Sequence, residues 1–226
     1  MTEFRAAIFD LDGVISDSAR YHYQAWKRLA DELSIPFDEQ ANQALKGVGR
    51  MESLAHILHL GQRAQDFSDH ERRALAARKN DYYRALIAAM GEHDVLPGAR
   101  SLLLDLRHRG VAIGLASASR NAPEILNRLE LINCFDAIAN PATIAGKPAP
   151  DLFLAAARQL AVAPAECIAF EDAEAGITAI KAAGMTAIGV GVAAALPRAD
   201  QVVTSLAQFN VDDYRWRPAR QDEPHA

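Results

Sequence analysis

Ala6-Ala7-Ile8-Phe9-Asp10-Leu11-Asp12-Gly13 is an apolar run closed by two carboxylates two residues apart and a glycine. The run reads as a buried strand, and open α/β sheets keep their active sites at the carboxyl ends of such strands. One carboxylate there can attack phosphorus as a nucleophile while the other moves a proton to or from the entering or leaving oxygen. Asp-x-Asp-Gly also opens calcium loops. Those need a third oxygen ligand before the glycine and a glutamate at the loop's end, whereas Gly13 comes too early and follows a strand.

Outward from this strand the pattern turns helical, with His22, Trp26, Leu29, Ala30 and Leu33 at intervals of three and four. Met51, Leu54, Ala55 and Leu58 predict a second helix, and Leu75, Lys79, Tyr83, Leu86 and Met90 a long third one. Beyond Asp94, Leu96-Pro97-Gly98 starts a helix with Ala99, Leu102, Leu103 and Leu106 on its buried side. Strands and helices then alternate: strands at 111–116, 137–138, 167–170, 187–190 and 201–203, helices at 122–131, 151–160 and 173–183. The fold class this predicts is α/β, a doubly wound parallel sheet (Rossmann-like core) with an inserted all-helical cap domain. Residues 1–15 and 94–226 form the core and 16–93 the cap, joined by two chain crossings near 15–18 and 93–95, so the cap can swing as a lid. The polar tail after Asp212, ending in Gln221-Asp222-Glu223-Pro224-His225-Ala226, is expected to fray.

The 226 residues are 50% hydrophobic, enough for a packed interior without staples. Cys134 and Cys167 lack metal-ligand spacing and read as free thiols in a reducing cytosol. A net charge of −5 offers no basic face for nucleic acid or anionic lipid, so a phosphorylated ligand must be held by local cations. The longest uncharged stretch, Ala182 to Pro197, is broken by glycines and falls short of the roughly 20 apolar residues of a membrane helix. No leader opens the chain; a cytoplasmic monomer is expected.

Each later strand end carries residues that phosphoryl chemistry uses. Ser117-Ala118-Ser119-Arg120-Asn121 bring two hydroxyls, a guanidinium and an amide to a helix start, where free N–H groups favour an anion, though serine and asparagine there are also ordinary helix caps. Lys147-Pro148 fixes a lysine in a rigid turn where it can neutralise a phosphate or a carboxylate. Glu171-Asp172 puts a second acidic pair at a strand end of the same sheet. Two acidic clusters on one sheet edge repel unless a cation lies between them, and hard oxygen ligands suit Mg²⁺. The order of these groups along successive strands points to a catalytic site for phosphoryl transfer.

These residues resemble the four motifs of the haloacid dehalogenase superfamily of aspartyl phosphotransferases, and within it the β-phosphoglucomutase family, from the first strand to about Val192. The resemblance implies that Asp10 becomes phosphorylated and that Asp12 is the general acid/base, coupled to cap closure by His22. Mg²⁺ would be held by Asp10, the Asp12 carbonyl and Asp172, with Glu171 bound or acting behind them. Ser117, the Ala118 N–H and Lys147 would hold the transferring phosphate, and the Lys147-Pro148 bond would be cis. Ser119, Arg120, Asn121 and the cap's Arg50 would hold the sugar's other phosphate. Gly13, Ser18, Trp26, Lys46 and Gly47 would complete the substrate site, the last two in a specificity loop, Lys46-Gly47-Val48-Gly49-Arg50. The implied reaction interconverts β-glucose 1-phosphate and glucose 6-phosphate, with β-glucose 1,6-bisphosphate as intermediate and activator. A sugar-phosphate phosphatase with the same core is the alternative. The chain departs from the usual family residues at Ser18 (commonly threonine), Gly49 (serine) and Arg120 (lysine).

Overall fold

A computed structural model describes residues 3–219. In chain order the elements are β1 (Glu3–Phe4), β2 (Ala6–Phe9), α1 (Ala19–Glu32), α2 (Glu39–Gln43), α3 (Arg50–Leu60), α4 (Asp69–Ile87) and α5 (Ala99–His108). They continue with β3 (Ala112–Leu115), α6 (Ala122–Arg128), β4 (Ala137–Ile138), α7 (Asp151–Gln159), β5 (Cys167–Glu171), α8 (Glu174–Ala182), β6 (Thr186–Val190), β7 (Gln201–Val203) and β8 (Arg215–Trp216). Six strands form one sheet in the order β4-β3-β2-β5-β6-β7, and every neighbouring pair is parallel.

Strand β2 can sit at the centre because both its faces are apolar. Side chains alternate across a strand, so Ala6 and Ile8 enter a core shared with Leu152, Phe153 and Ala156 of α7 and Ile177 and Ile180 of α8. Ala7 and Phe9 enter the opposite core with Leu102, Leu103 and Leu106 of α5 and Ile125 and Leu126 of α6. Phe9 stacks on Phe170 of β5, ring centroids 4.5 Å apart. The chain leaves β2 toward β3 and β4 on one side and returns to β5 on the other. That reversal opens a crevice at the carboxyl end of β2.

Helices α1 to α4 lie between β2 and α5 and bury a core of their own around Trp26, Leu29, Leu54, Ile57, Leu58 and Leu75. Helix α4 starts at a capping box formed by Ser68 and Glu71, and its last turns bring Tyr83 and Ile87 into the sheet's core. The two chain passages into this helical unit touch. Ser16 bridges to Val95, the Asp17 N–H donates to the Asp94 carbonyl at 2.9 Å, and the Leu96 N–H donates to that of Ile15 at 3.0 Å. Among the described residues no helix is long and apolar enough to cross a membrane.

Three expectations need correction. The buried stripe of α3 is Ser53, Leu54, Ile57 and Leu58, while Met51 is 44% exposed and Ala55 is exposed, because α3 packs on α4 rotated by one position from the expected face. Helix α6 stops at Arg128, and Glu130 then takes a left-handed turn with φ of 57°. The tail beyond Asp212 does not fray at once. Arg215 and Trp216 pair in parallel with Glu3 and Phe4, and the Phe4 ring meets Tyr214 at 5.7 Å and Trp216 at 6.0 Å. The final seven residues lie outside the described ones. Both cysteines are free thiols, Cys167 buried and Cys134 half-buried.

Candidate active site

The end of β2 delivers Asp10 while the strand is still paired, its N–H donating to the Phe170 carbonyl at 3.0 Å. Strand β5 ends beside it with Glu171, fully buried, and Asp172. Two glycines make room for this acidic pair. Gly13 has φ of 86°, and a Cβ there would lie 2.4 Å from Asp172 Oδ2. A Cβ on Gly176, in α8, would lie 2.0 Å from Glu171 Cδ. Lys147, joined to Pro148 by a cis peptide bond, is fully buried and places its Nζ 2.5 Å from Asp10 Oδ1 and 2.7 Å from Glu171 Oε2.

Asp10, Glu171 and Asp172 each bring a carboxylate oxygen within 4.8 Å of the others. With Asp12 the cluster holds four carboxylates, and its buried cation is Lys147, reinforced by Lys46, whose Nζ is 3.4 Å from Asp172 Oδ2. The negative excess shows in the titration of its members. Burial first, then the charges of Asp10 and Asp172 against the opposing pull of Lys147, pushes Glu171 up to about 8. Burial raises Asp172 to about 6 against Lys46. Lys147 is driven the other way by its surroundings: burial would lower it, but Asp10 and Glu171 raise it above the ordinary lysine value, so it stays charged. A hard divalent cation such as Mg²⁺ fits this donor set, because three carboxylate oxygens converge and four carboxylates face only two lysines.

Asp12 lies two residues beyond Asp10 and is handled by the helical unit. Ser18 Oγ, at the start of α1, donates to Asp12 Oδ1 at 2.5 Å and lies 2.6 Å from Ser16 Oγ. His22 Nε2, one turn on, is 3.7 Å from Asp12 Oδ2, and its Nδ1 is 2.7 Å from Lys79 Nζ of α4. Burial and the nearby Asp10 charge lift Asp12 to about 7, against the Ser18 hydrogen bond. Burial also lowers His22 and Lys79, each further depressed by Arg50. Lys79 is buried with its Nζ over Trp26 at 4.6 Å and Tyr83 at 4.8 Å.

A second polar group spans the helical unit and the sheet. Arg50, at the start of α3, donates to Asn80 Oδ1 at 2.7 Å, and Asn121 Nδ2, at the start of α6, donates to the same oxygen at 3.0 Å. Burial and the Arg120 charge lower Arg50 from its usual value. The loop after β3 is ordered by its own hydroxyls: Ser117 Oγ accepts from the Ser119 N–H at 3.1 Å, and Ser119 Oγ from the Asn121 N–H at 3.3 Å.

Most residues singled out from the sequence meet around one cleft. Asp10, Asp12, Asp172, Ala118 and Ser119 line it from the sheet, and His22, Trp26, Lys46, Gly47 and Arg50 from the helical side. Ser18, Ser117, Lys147 and Glu171 lie buried behind that lining. Arg120 lines an adjoining cleft that shares Arg50 and Ala118, and Gly13 lines a third that shares Lys46 and Asp172. Sequence reasoning missed the site roles of Ser16, Ser53, Lys79, Asn80 and Tyr83. The signal for Lys79 was present: a lysine in the apolar stripe Leu75, Lys79, Tyr83 is buried only with partners.

Residues 4–184 match the family model of haloacid dehalogenase-like hydrolases. The chain is 50% identical over 209 residues to a β-phosphoglucomutase of Bacillus subtilis, covering 92% of each. It is 34% identical over 188 residues to a fructose-1-phosphate phosphatase of Escherichia coli, covering 83% of this chain and 96% of that one. The crystal structure of a β-phosphoglucomutase from Clostridium difficile superposes with a TM-score of 0.91 at 45% identity, covering 93% of this chain and 95% of that one.

Proposed function

The chain belongs to the haloacid dehalogenase-like hydrolase family, and from that membership we propose that it is a β-phosphoglucomutase, an isomerase interconverting β-glucose 1-phosphate and glucose 6-phosphate. Residues 16–93 act as a lid over the core, rocking on the ribbon where Ser16 meets Val95. The observation that carries the reading is the tether of Asp12 to Ser18 and His22, which ties the proton-transfer group to the position of that lid. A hydrolase needs no such tie to keep water out; a mutase does, because its aspartyl phosphate must wait for a sugar.

In the forward direction the 6-hydroxyl of β-glucose 1-phosphate attacks phosphorus on phospho-Asp10. Asp12 takes the hydroxyl proton, the Asp10 carboxylate leaves, and β-glucose 1,6-bisphosphate forms. The bisphosphate turns over, its other phosphoryl group passes to Asp10, and Asp12 returns the proton to the departing C1 oxygen, releasing glucose 6-phosphate. A carboxyl group that titrates near 7 suits both duties, and that is where burial puts Asp12. Lys147 neutralises Asp10 and the transferring phosphoryl group, which Ser117 and the Ala118 N–H also hold. Arg50, Arg120, Ser119 and Asn121 take the second phosphate, with Gly13, Trp26, Lys46, Gly47 and the hinge's Ser18 shaping the sugar's space. Asp10, the Asp12 carbonyl and Asp172, with Glu171, would hold Mg²⁺, which supplies charge neutralisation between the carboxylates and the phosphate. The partners are small sugar phosphates, met by a single chain in the cytoplasm.

The test is to incubate the protein with β-glucose 1-phosphate, Mg²⁺ and a trace of β-glucose 1,6-bisphosphate, following glucose 6-phosphate and inorganic phosphate together. Glucose 6-phosphate in large excess is the expected result. Inorganic phosphate as the main product would move the protein to the phosphatases.

A further inference from the structure

Tyr83 is fully buried in the last turns of α4, and its hydroxyl makes no hydrogen bond among the described residues. A buried donor without a partner is costly, so a native protein seldom carries one without a reason. The ring of Tyr83 is used: it stacks on His22 with centroids 3.9 Å apart and an interplanar angle of 27°, and it lies 4.8 Å from Lys79 Nζ. It therefore sets the plane of the imidazole whose other edge faces Asp12. The hydroxyl faces Ser18 on the hinge and Ser119 on the loop after β3. Ser18 already donates to Asp12 and is hydrogen-bonded to Ser16, and Ser119 accepts from the Asn121 N–H. Each serine oxygen keeps a lone pair free for one more donor. Tyr83 travels with the lid, Ser119 stays with the sheet, and a small shift of one against the other would complete the bond.

We propose that Tyr83 is a positioning residue that couples lid position to the acid/base: with substrate bound, its hydroxyl donates to Ser119, locking the ring that orients His22 toward Asp12. The proposal rests on the mutase reading for its reaction but not for its geometry. Any transfer or hydrolysis that uses Asp12 depends on the same lock.

The test is Tyr83→Phe, which keeps the ring and removes the hydroxyl, compared with wild type in melting temperature without ligand and in kcat and KM for β-glucose 1-phosphate. The expected result is an unliganded melting temperature that is unchanged or raised, because the orphan hydroxyl is gone, with kcat about tenfold lower, the effect of one hydrogen bond. The KM should change little, and Tyr83→Phe/Ser119→Ala should lose no more kcat than Ser119→Ala alone. Wild-type kcat in Tyr83→Phe overturns the proposal, and so does a lowered melting temperature with kcat unchanged, which would make the hydroxyl merely structural. If the wild type releases inorganic phosphate in place of glucose 6-phosphate, the mutase reading fails, and the same comparison on phosphate release still decides the role of Tyr83.

Discussion

Without metal the acidic cluster makes the fold less stable as pH rises, and the size of the effect follows from the site. Asp12, Asp172 and Glu171 titrate at about 7, 6 and 8 in the folded chain, against ordinary values of 3.8 for aspartate and 4.5 for glutamate. Their folded values are raised, so above the ordinary carboxylate range the unfolded chain has released protons that the folded chain still holds. Stability therefore falls with pH through that window and levels off above the folded values. Near pH 6–7 these three carboxyls hold about two extra protons, a contribution of about 2.7 kcal/mol per pH unit at 1.36 kcal/mol per proton, opposed by His22 and Lys79, whose lowered folded values act with the opposite sign. For a chain of this size the carboxyls alone lower the melting temperature by about 5–10 °C between pH 6 and pH 7, and the net fall is smaller. Mg²⁺ favours the ionised carboxylates, so in its presence the slope should flatten, and adding it to weakly buffered protein at pH 6.5 should release protons. The assay is thermal unfolding at a series of pH values with chelator and with Mg²⁺, repeated on Glu171→Gln, which removes one of the titrating groups. A metal-free midpoint that stays level from pH 5.5 to 7.5, or falls just as steeply in Glu171→Gln, would refute the reasoning.

Other perturbations separate the parts of the site. Gly176→Ala adds a methyl group 2.0 Å from Glu171 Cδ; alanine favours a helix, so any loss comes from displacing Glu171, and the Mg²⁺ concentration for half-maximal activity should rise about 10–100-fold. Asn80→Ala removes the oxygen that joins Arg50 to Asn121; KM for the sugar phosphate should rise about tenfold in steady-state kinetics while the unliganded melting temperature moves little. Trp216→Ala takes away a half-buried ring packed on Phe4 and an indole N–H that donates to the Val211 carbonyl at 2.9 Å, and should cost about 1–3 kcal/mol in urea unfolding.

The sheet was legible because its strands are short apolar runs whose polar ends announce themselves. Asp10, Lys147 and Glu171 each follow or precede such a run or a proline turn, and the structure brings them within hydrogen-bonding reach. The α5 stripe Ala99, Leu102, Leu103, Leu106 is buried as its spacing predicts. The far side of the site was harder to read. Lys79, Asn80 and Tyr83 sit one helical turn or less apart on α4, where a single helix can present different faces to its own core and to a distant site, and spacing alone does not say which. Met51 shows the same ambiguity, an apolar residue at the right interval that ends up exposed. The strand at Arg215–Trp216 was hidden because its partner is Glu3–Phe4, at the opposite end of the chain, and a two-residue pairing leaves no pattern of its own.

The central place of Ala6–Phe9 also dictates the order in which this protein can be made. Its sheet neighbours are Ala112–Leu115 and Cys167–Phe170, so the whole helical insert leaves the ribosome before the strand has anything to pair with. At about 5–20 residues per second, that is a wait of about 5–20 s before the first neighbour is even synthesised. During it, four apolar residues with unpaired backbone groups on both edges are exposed to whatever else the cell holds. The insert, which has its own core in Trp26, Leu29, Leu54 and Leu58, can fold meanwhile and keep the strand's end tied to a compact body. The arrangement that puts Asp10 in the middle of the sheet thus makes the contacts its chemistry depends on wait for partners synthesised long after it.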